Sequence, residues 1–342
     1  MRRSIVLGVA AMLSVGVAGS ALAQDKLAPK VMVITMFGEE AKPWLEGEQF
    51  TSKVAVPGLF KEYPNVDCNE AGLCHMTTGM GFANAASSVA AVVLSDQFDL
   101  RDTYVVIAGI AGVDPEDGTL GSAHWARFAV DGGLYHAIDP RQVPEGWAHG
   151  VVPLGAAEPG QAAKWSAGTE VYRLSEPLLQ QAFALSRQVE LMDGDQAKAY
   201  RQAYAPPPEL SAPLVSICDT LSSDTYWHGS MIADAMASFV ASATKGEGNY
   251  CTTQMEDNAT LTALRRGADA GLLDFDRIAV LRTASNFDRE PPGKTAIESL
   301  TATSGGFVPS TTNAYRVASK LTDAILADWD NWKDGVPPMP AP

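Results

Sequence analysis

The chain has 342 residues and a formal net charge of −15, from 40 acidic against 25 basic side chains. That balance excludes nucleic-acid binding, which needs a basic face to neutralise phosphates, and otherwise speaks only for solubility. The length suffices for one large domain or two small ones.

The N-terminus reads Met1-Arg2-Arg3, then an apolar run from Ile5 to Val17, then Ala21-Leu22-Ala23 before Gln24. A basic segment, an apolar segment and a small-residue cleavage site make a signal peptide over residues 1–23. The alternative is an uncleaved N-terminal anchor. Loss of Arg2 and Arg3 takes the charge from −15 to −17. No later run approaches the ~20 apolar residues of a spanning helix, so the mature chain is expected to lack a transmembrane segment. Residues 24–342 are expected to be one exported, periplasmic domain.

The first element is Lys30–Phe37, a near-continuous apolar strand of the kind buried on both faces. It ends at Gly38-Glu39-Glu40. Residues 54–76 form a hairpin-like excursion, and Thr78-Gly79-Met80-Gly81 feeds an Ala-rich helix from about Asn84 to Ser95. A second buried strand, residues 104–109, runs into Gly109-Ile110-Ala111-Gly112. A strand-like stretch covers 119–130. Residues 131–212 read as a long insertion packed on the main domain. It is rich in Gly and Pro to residue 170 and helical over 175–204, and Pro206-Pro207-Pro208 stops it. Then follow a strand (214–218), a helix (Ser230–Thr244), and Cys251 to Arg289. This last stretch holds Met255-Glu256 at a helix start and a strand (277–283) leading to Ser285-Asn286-Phe287-Asp288. A helix from about Thr311 to Trp329 comes last. Strands alternate with helices, so the class is α/β: three layers, with a central mostly parallel mixed sheet flanked by helices.

Four cysteines remain, an even number in an exported chain. Of three pairings, Cys68–Cys74 fits a hairpin staple, and Cys218–Cys251 joins the ends of two strands. A zinc site is the rival, without the usual ligand spacings. The turns Gly38–Glu40, Thr78–Gly81, Gly109–Gly112 and Ser285–Asp288 all follow apolar strands. In a parallel sheet such turns share the edge where ligands sit, and Met255-Glu256 joins them. Each has a plainer reading. Glu256 complements a helix dipole. Tyr226 and Trp227 are core or rim, Glu39 and Glu40 are solvated charge, Asp288 pairs with Arg289 at the surface, and His124 and His228 are structural.

Those motifs together resemble the nucleoside phosphorylase and nucleosidase superfamily, and within it the purine nucleoside permease family. The carriers are Met255-Glu256-Asp257-Asn258-Ala259-Thr260, Arg282 through Arg289, Thr78–Gly81 and Ala108–Gly112, over roughly Pro29 to Trp332. The resemblance implies a nucleoside phosphorylase-like fold and a purine nucleoside whose N-glycosidic bond is cleaved. Cleavage makes an oxocarbenium-like sugar, so a carboxylate gripping the ribose diol gains strength in the transition state. Glu256 matches that role, with Met255 packing under the sugar. Ser285 and Asn286 match the base contact, with Asp288 as understudy. Tyr226 or Trp227 is the stacking aromatic, and Gly38, Thr78 and Gly109 are implied around the ligand. Many relatives of this kind carry Asp at the Asn286 position, and an amide donates a hydrogen bond without transferring a proton. Phosphorylases place arginines where this chain has Gly38-Glu39-Glu40 and Ile107, while nucleosidases use a first-turn glutamate to activate water, which Glu40 fits. Hydrolysis is therefore expected over phosphorolysis, with phosphate as the alternative co-substrate and no metal or other cofactor. The rival is a non-catalytic component of nucleoside uptake. Whether the chain forms a homo-oligomer is left open.

Overall fold

The computed structural model describes residues 26–207 and 210–339, so the expected signal peptide lies outside the described residues. The strands are β1 (Val31–Thr35), β2 (Ser52–Ala55), β3 (Asn65–Cys68), β4 (Leu73–Thr77), β5 (Tyr104–Val113), β6 (Ala123–Trp125) and β7 (Phe128–Asp131). They continue with β8 (Tyr135–Ala137), β9 (Val151–Pro153), β10 (Val171–Arg173), β11 (Val215–Ile217), β12 (Asp219–Ser222), β13 (Tyr250–Gln254) and β14 (Ile278–Phe287). The helices are α1 (Gly38–Gly47), α2 (Phe82–Val93), α3 (Glu176–Ser186), α4 (Asp195–Arg201), α5 (Ser230–Ala243), α6 (Asp257–Asp269), α7 (Ala296–Leu300), α8 (Phe307–Ala327) and α9 (Trp329–Trp332).

Strand alternation builds three layers. Met32, Ile34, Val105 and Ile107 point to one face and pack with Val89, Val92, Leu261 and Leu264 of α2 and α6. Val31, Val33, Val106 and Ala108 point to the other and meet Leu178, Val317 and Leu321 of α3 and α8. Both faces are covered, which is why β1 and β5 read as continuous apolar runs rather than alternating ones.

The sheet forks at β5. β14 follows one edge of β5 in parallel from Val105 to Val113. On the other edge β1 pairs in parallel with Tyr104–Ile107, and β13 pairs antiparallel with Gly112 and Val113. Residues 108–111 therefore face a gap between two strands whose C-terminal ends point at each other. Whatever follows β1 and β13 is delivered into that gap.

Cys68 and Cys74 sit opposite each other on β3 and β4 and form a disulfide, with a Cα separation of 4.1 Å. Cys218, just before β12, is bonded to Cys251 of β13, with a Cα separation of 5.7 Å. His124 lies beside this second bridge. Because the two sulfurs are bonded to each other, they are not available to a zinc ion.

Three expectations on elements are corrected. The helix expected over 175–204 is two helices, α3 and α4, separated at residues 187–194. The break is held by Arg201, whose guanidinium pairs with Asp193 and donates to the Ser211 carbonyl at 2.8 Å. The strand expected to stop at Gly109 runs on to Val113, because β14 and β13 continue to pair it. The last helix begins at Phe307, a turn earlier than Thr311, and closes the cleft described below. Among the described residues no helix is long and apolar enough to cross a membrane.

Candidate active site

The gap beside residues 108–111 opens into a cleft of about 420 Å³, within the usual range for a small-molecule site. Glu40 enters from the first turn of α1 and Glu256 from the start of α6. Met255, Tyr226, Trp227, Ser285 and Asn286 line it as expected, and Phe37, Met80, Phe307 and Arg282 also form the wall.

Glu40 is buried, with 2% of its surface exposed. Oε2 accepts the Met36 amide at 2.8 Å and Oε1 accepts the Ile110 amide at 2.7 Å. The second bond explains how the fork is tolerated: Ile110 lies where β5 has no strand partner on the β1/β13 edge, and the carboxylate satisfies its N–H instead. Burial pushes the Glu40 carboxyl up to about 8, with Arg282 pulling it down and Glu256 pushing it further up.

Glu256 is buried too, and burial raises its carboxyl while Arg282 opposes the rise. Its Oε1 accepts the Gly81 amide at 3.1 Å. Gly81 has φ 86°, a conformation that favours glycine. The glycine-rich turn thus aims a backbone N–H from the start of α2 at the carboxylate.

Arg282 joins the two acids. It projects from the middle of β14 and is 1% exposed. Nε and Nη2 bind Asp257, Nη2 also reaches Glu256 Oε2 at 3.5 Å, and Nη1 donates to the Ile110 carbonyl at 3.0 Å. Burial works against its charge, but Asp257 and Glu256 outweigh that and hold it firmly protonated. Arg282 and Asp257 were named from the sequence only as parts of motifs, with no role at the site. A charged residue inside the apolar strand Ile278–Phe287 was the available signal, since a buried cation requires an anion.

At the far end of the cleft, Ser285 Oγ donates to Asn286 Oδ1 at 2.8 Å and Asn286 Nδ2 donates to the Phe287 carbonyl at 3.0 Å. The Tyr226 hydroxyl also hydrogen-bonds Asn286, and more than half of the tyrosine side chain faces solvent. Trp227 is buried at 7% and contributes to the core cluster on α5.

Four expected residues stand outside the lining. Thr78 is fully buried behind the turn, its hydroxyl donating to the Gly79 carbonyl at 2.8 Å. Gly38 donates its N–H to the Tyr63 hydroxyl at 3.0 Å. Gly109 supports the site from below: a Cβ there would stand 2.7 Å from both Glu40 Oε1 and Arg282 Nη1, so no side chain fits. Asp288 is turned away. It is 1% exposed, Oδ2 accepts the Tyr250 hydroxyl at 2.7 Å, and Oδ1 accepts Arg289 Nε at 2.9 Å. Arg289 also binds Asp114 and Asp234, so the expected surface pair belongs to a largely buried cluster behind the Asn286 end of the cleft, with only Asp234 exposed. Glu39 lines the mouth and is exposed.

The family described as purine nucleoside permease matches residues 28–337. A probable purine nucleoside permease of Schizosaccharomyces pombe is 37% identical over 317 residues, which is 89% of this chain and 91% of the relative. A purine nucleoside permease of Candida albicans is 36% identical over 314 residues, 90% of this chain and 77% of the relative. Among solved structures, a 5′-methylthioadenosine/S-adenosylhomocysteine nucleosidase of S. pneumoniae superposes with a TM-score of 0.53 at 16% identity, over 86% of this chain and 99% of that one. The corresponding nucleosidase of Helicobacter pylori gives 0.52 at 14% identity, over 87% and 100%. At that identity the likeness is one of fold, and it agrees with the forked, mostly parallel sheet.

Proposed function

The chain belongs to the purine nucleoside permease family, and from that premise we propose that its cleft binds a purine nucleoside and hydrolyses the N-glycosidic bond. The observation that carries the reading is the convergence of two buried carboxylates, Glu40 and Glu256, on one gap in the sheet. Buried acids with raised pKa values, held in a cleft, suit proton transfer and transition-state charge stabilisation. A purely binding cleft has no need of two.

In this reading Glu256 grips the ribose diol, and its negative charge stabilises the sugar as the C1′–N9 bond breaks. The electron pair leaves with the purine. Asn286 offers a hydrogen bond to the base edge, which disperses that charge without transferring a proton, and the Ser285 hydroxyl holds its carboxamide in place. Tyr226 covers the base, and Met255 packs beneath the sugar. Water attacks C1′ and gives its proton to ionised Glu40. Phosphate is the poorer nucleophile here, because Arg282 is already bound to Asp257 and Glu256. The other charged groups at the cleft are Glu39 and Glu40, which repel an anion. The two disulfides and the leader-like N-terminus support export to an oxidising compartment such as a periplasm.

The experiment is release of hypoxanthine from inosine, with and without phosphate, by the wild type and Glu256→Gln. The amide keeps the size and one acceptor but loses the charge, so kcat should fall by about 10²-fold or more with the fold intact. Strict dependence on phosphate refutes the water mechanism. Tight inosine binding without turnover selects the second reading, a binding component of nucleoside uptake, which the names of the relatives favour.

A further inference from the structure

α6 begins at Asp257, and its N-cap residue, Glu256, has no side-chain cap. The first N–H groups of a helix need acceptors, and a buried start without them is costly. Here the acceptor comes from two residues upstream. Gln254 Oε1 accepts the Glu256 N–H at 2.8 Å and the Asp257 N–H at 2.9 Å. These two donors fix which end of the carboxamide is oxygen. Nε2 then donates to Ser222 Oγ at 2.8 Å and Thr220 Oγ1 at 3.2 Å on β12. All four hydrogen-bonding positions of the amide are used, and the residue is 6% exposed.

Ser222 extends the network. Its hydroxyl accepts the Asn258 N–H at 3.0 Å and donates to Asn258 Oδ1 at 2.9 Å. Asn258 Nδ2 donates in turn to the Thr169 carbonyl at 2.9 Å. Glu256 therefore sits in a backbone bend (φ −138°, ψ −25°) gripped on its own amide by Gln254 and anchored through α6 to residues 169–170 of the expected insertion. Ser222, Asn258 and Gln254 are all buried, so no water competes for these bonds.

We propose that Gln254 is the positioning residue for Glu256: its carboxamide stands in for the missing helix cap and sets the backbone from which the Glu256 carboxylate reaches the cleft. The inference rests on the reading above for its effect on nucleosides, but not for the geometry itself. Glutamine is the residue that does this. Asparagine is one methylene short. Glutamate keeps the two acceptors but adds a buried charge beside Glu256 and Asp257 and loses both donors. Methionine keeps the volume and loses every bond.

The test has two arms, on the wild type, Gln254→Met and Gln254→Glu. The first needs no nucleoside. Hydrogen exchange at the Gly81 amide, which Glu256 holds, should accelerate about 10-fold or more in Gln254→Met, with the later turns of α2 unchanged. The second arm measures binding of inosine against 2′-deoxyinosine. The wild type should prefer the ribose form, and Gln254→Met should lose that preference while binding free hypoxanthine as before. A displaced carboxylate should also lower kcat by about 10²-fold, as misplacement of order 1 Å does. Gln254→Glu should restore the slow Gly81 exchange and shift the pH profile upward. Unchanged Gly81 exchange in Gln254→Met overturns the inference. So does a general loss of thermal stability with the ribose preference intact. A wild type that binds no nucleoside overturns the proposed function, and the exchange arm still decides the role of Gln254.

Discussion

Arg282 Nη2 lies 2.5 Å from Asp257 Oδ1 beneath the cleft, and both side chains are withdrawn from solvent. The pair joins β14, which carries Ser285 and Asn286, to α6, which starts beside Glu256. Removing one partner leaves the other charge buried without compensation, which typically costs about 3–5 kcal/mol. Arg282→Met should therefore lower the unfolding free energy by about that amount in a urea titration. Arg282→Met combined with Asp257→Leu should recover part of the loss, because the two effects are not independent. Additive losses would show that the pair does not interact.

Glu40 makes stability depend on pH in an unusual direction. Its folded pKa, about 8, lies above the ordinary value of 4.5. Between those values the folded chain holds a proton that the unfolded chain has lost, so stability falls as pH rises through that window and levels off above about 8. The ceiling is about 5 kcal/mol, from about 1.4 kcal/mol for each pKa unit. Glu40→Gln removes this slope. It also loses one acceptor for the Met36 and Ile110 amides, a cost that does not vary with pH. Relative to the variant, the wild-type melting temperature should thus decline from pH 5 to pH 9. The same ionisation exposes the base form, so hydrolysis should accelerate as pH approaches 8. A flat difference in melting temperature would place Glu40 near its ordinary pKa.

The two disulfides should differ in worth. Cys218–Cys251 closes a loop of sequence separation 33, and Cys68–Cys74 one of 6. By loop-closure entropy the first contributes about 4 kcal/mol and the second about 2 kcal/mol. Cys218→Ala/Cys251→Ala should accordingly lower the unfolding midpoint more than Cys68→Ala/Cys74→Ala. The longer bridge also ties β13 to the residue before β12, so its loss should weaken nucleoside binding, which the shorter bridge should not affect.

The rule that ligands sit beyond strand ends was enough to bring Glu40, Glu256, Ser285 and Asn286 together at one cleft, because β1, β13 and β14 deliver them. The same rule failed at Asp288. β14 shifts register between Ala284 and Asn286 and ends at Phe287, so side-chain alternation no longer indicates direction there. Gly109 was expected to touch the ligand, but its lack of a side chain serves Glu40 and Arg282 behind it. The fork of β5 was not legible at all. Short apolar runs show that strands exist, but not that one strand changes neighbour halfway. The break at residues 187–194 did carry a signal, Asp193-Gly194, within an otherwise helical pattern.

On the proposed reading, Asn286 should decide which base the cleft prefers. Its Oδ1 is taken by the Ser285 hydroxyl and one Nδ2 hydrogen by the Phe287 carbonyl. The second Nδ2 hydrogen faces the Tyr226 hydroxyl, and it becomes the donor for the base when a bound purine takes that place. A 6-oxopurine presents acceptors at O6 and N7, whereas adenine presents an NH₂ at position 6. A donor facing that NH₂ has no acceptor, and an unpaired buried polar group costs ~1–3 kcal/mol, or roughly 5- to 150-fold in kcat/KM. Inosine should therefore be cleaved faster than adenosine by a factor in that range. Asn286→Asp replaces the donor with an acceptor and should move the preference toward adenosine, with Ser285 still able to donate to the new carboxylate. Asp288 should not compensate, since both its oxygens are bound to Tyr250 and Arg289. The measurement is base release from inosine and adenosine by the wild type, Asn286→Asp and Asp288→Asn. An adenosine preference in the wild type would sink the assignment of Asn286. A change of base preference in Asp288→Asn, with Asn286→Asp unchanged, would move the base contact to Asp288.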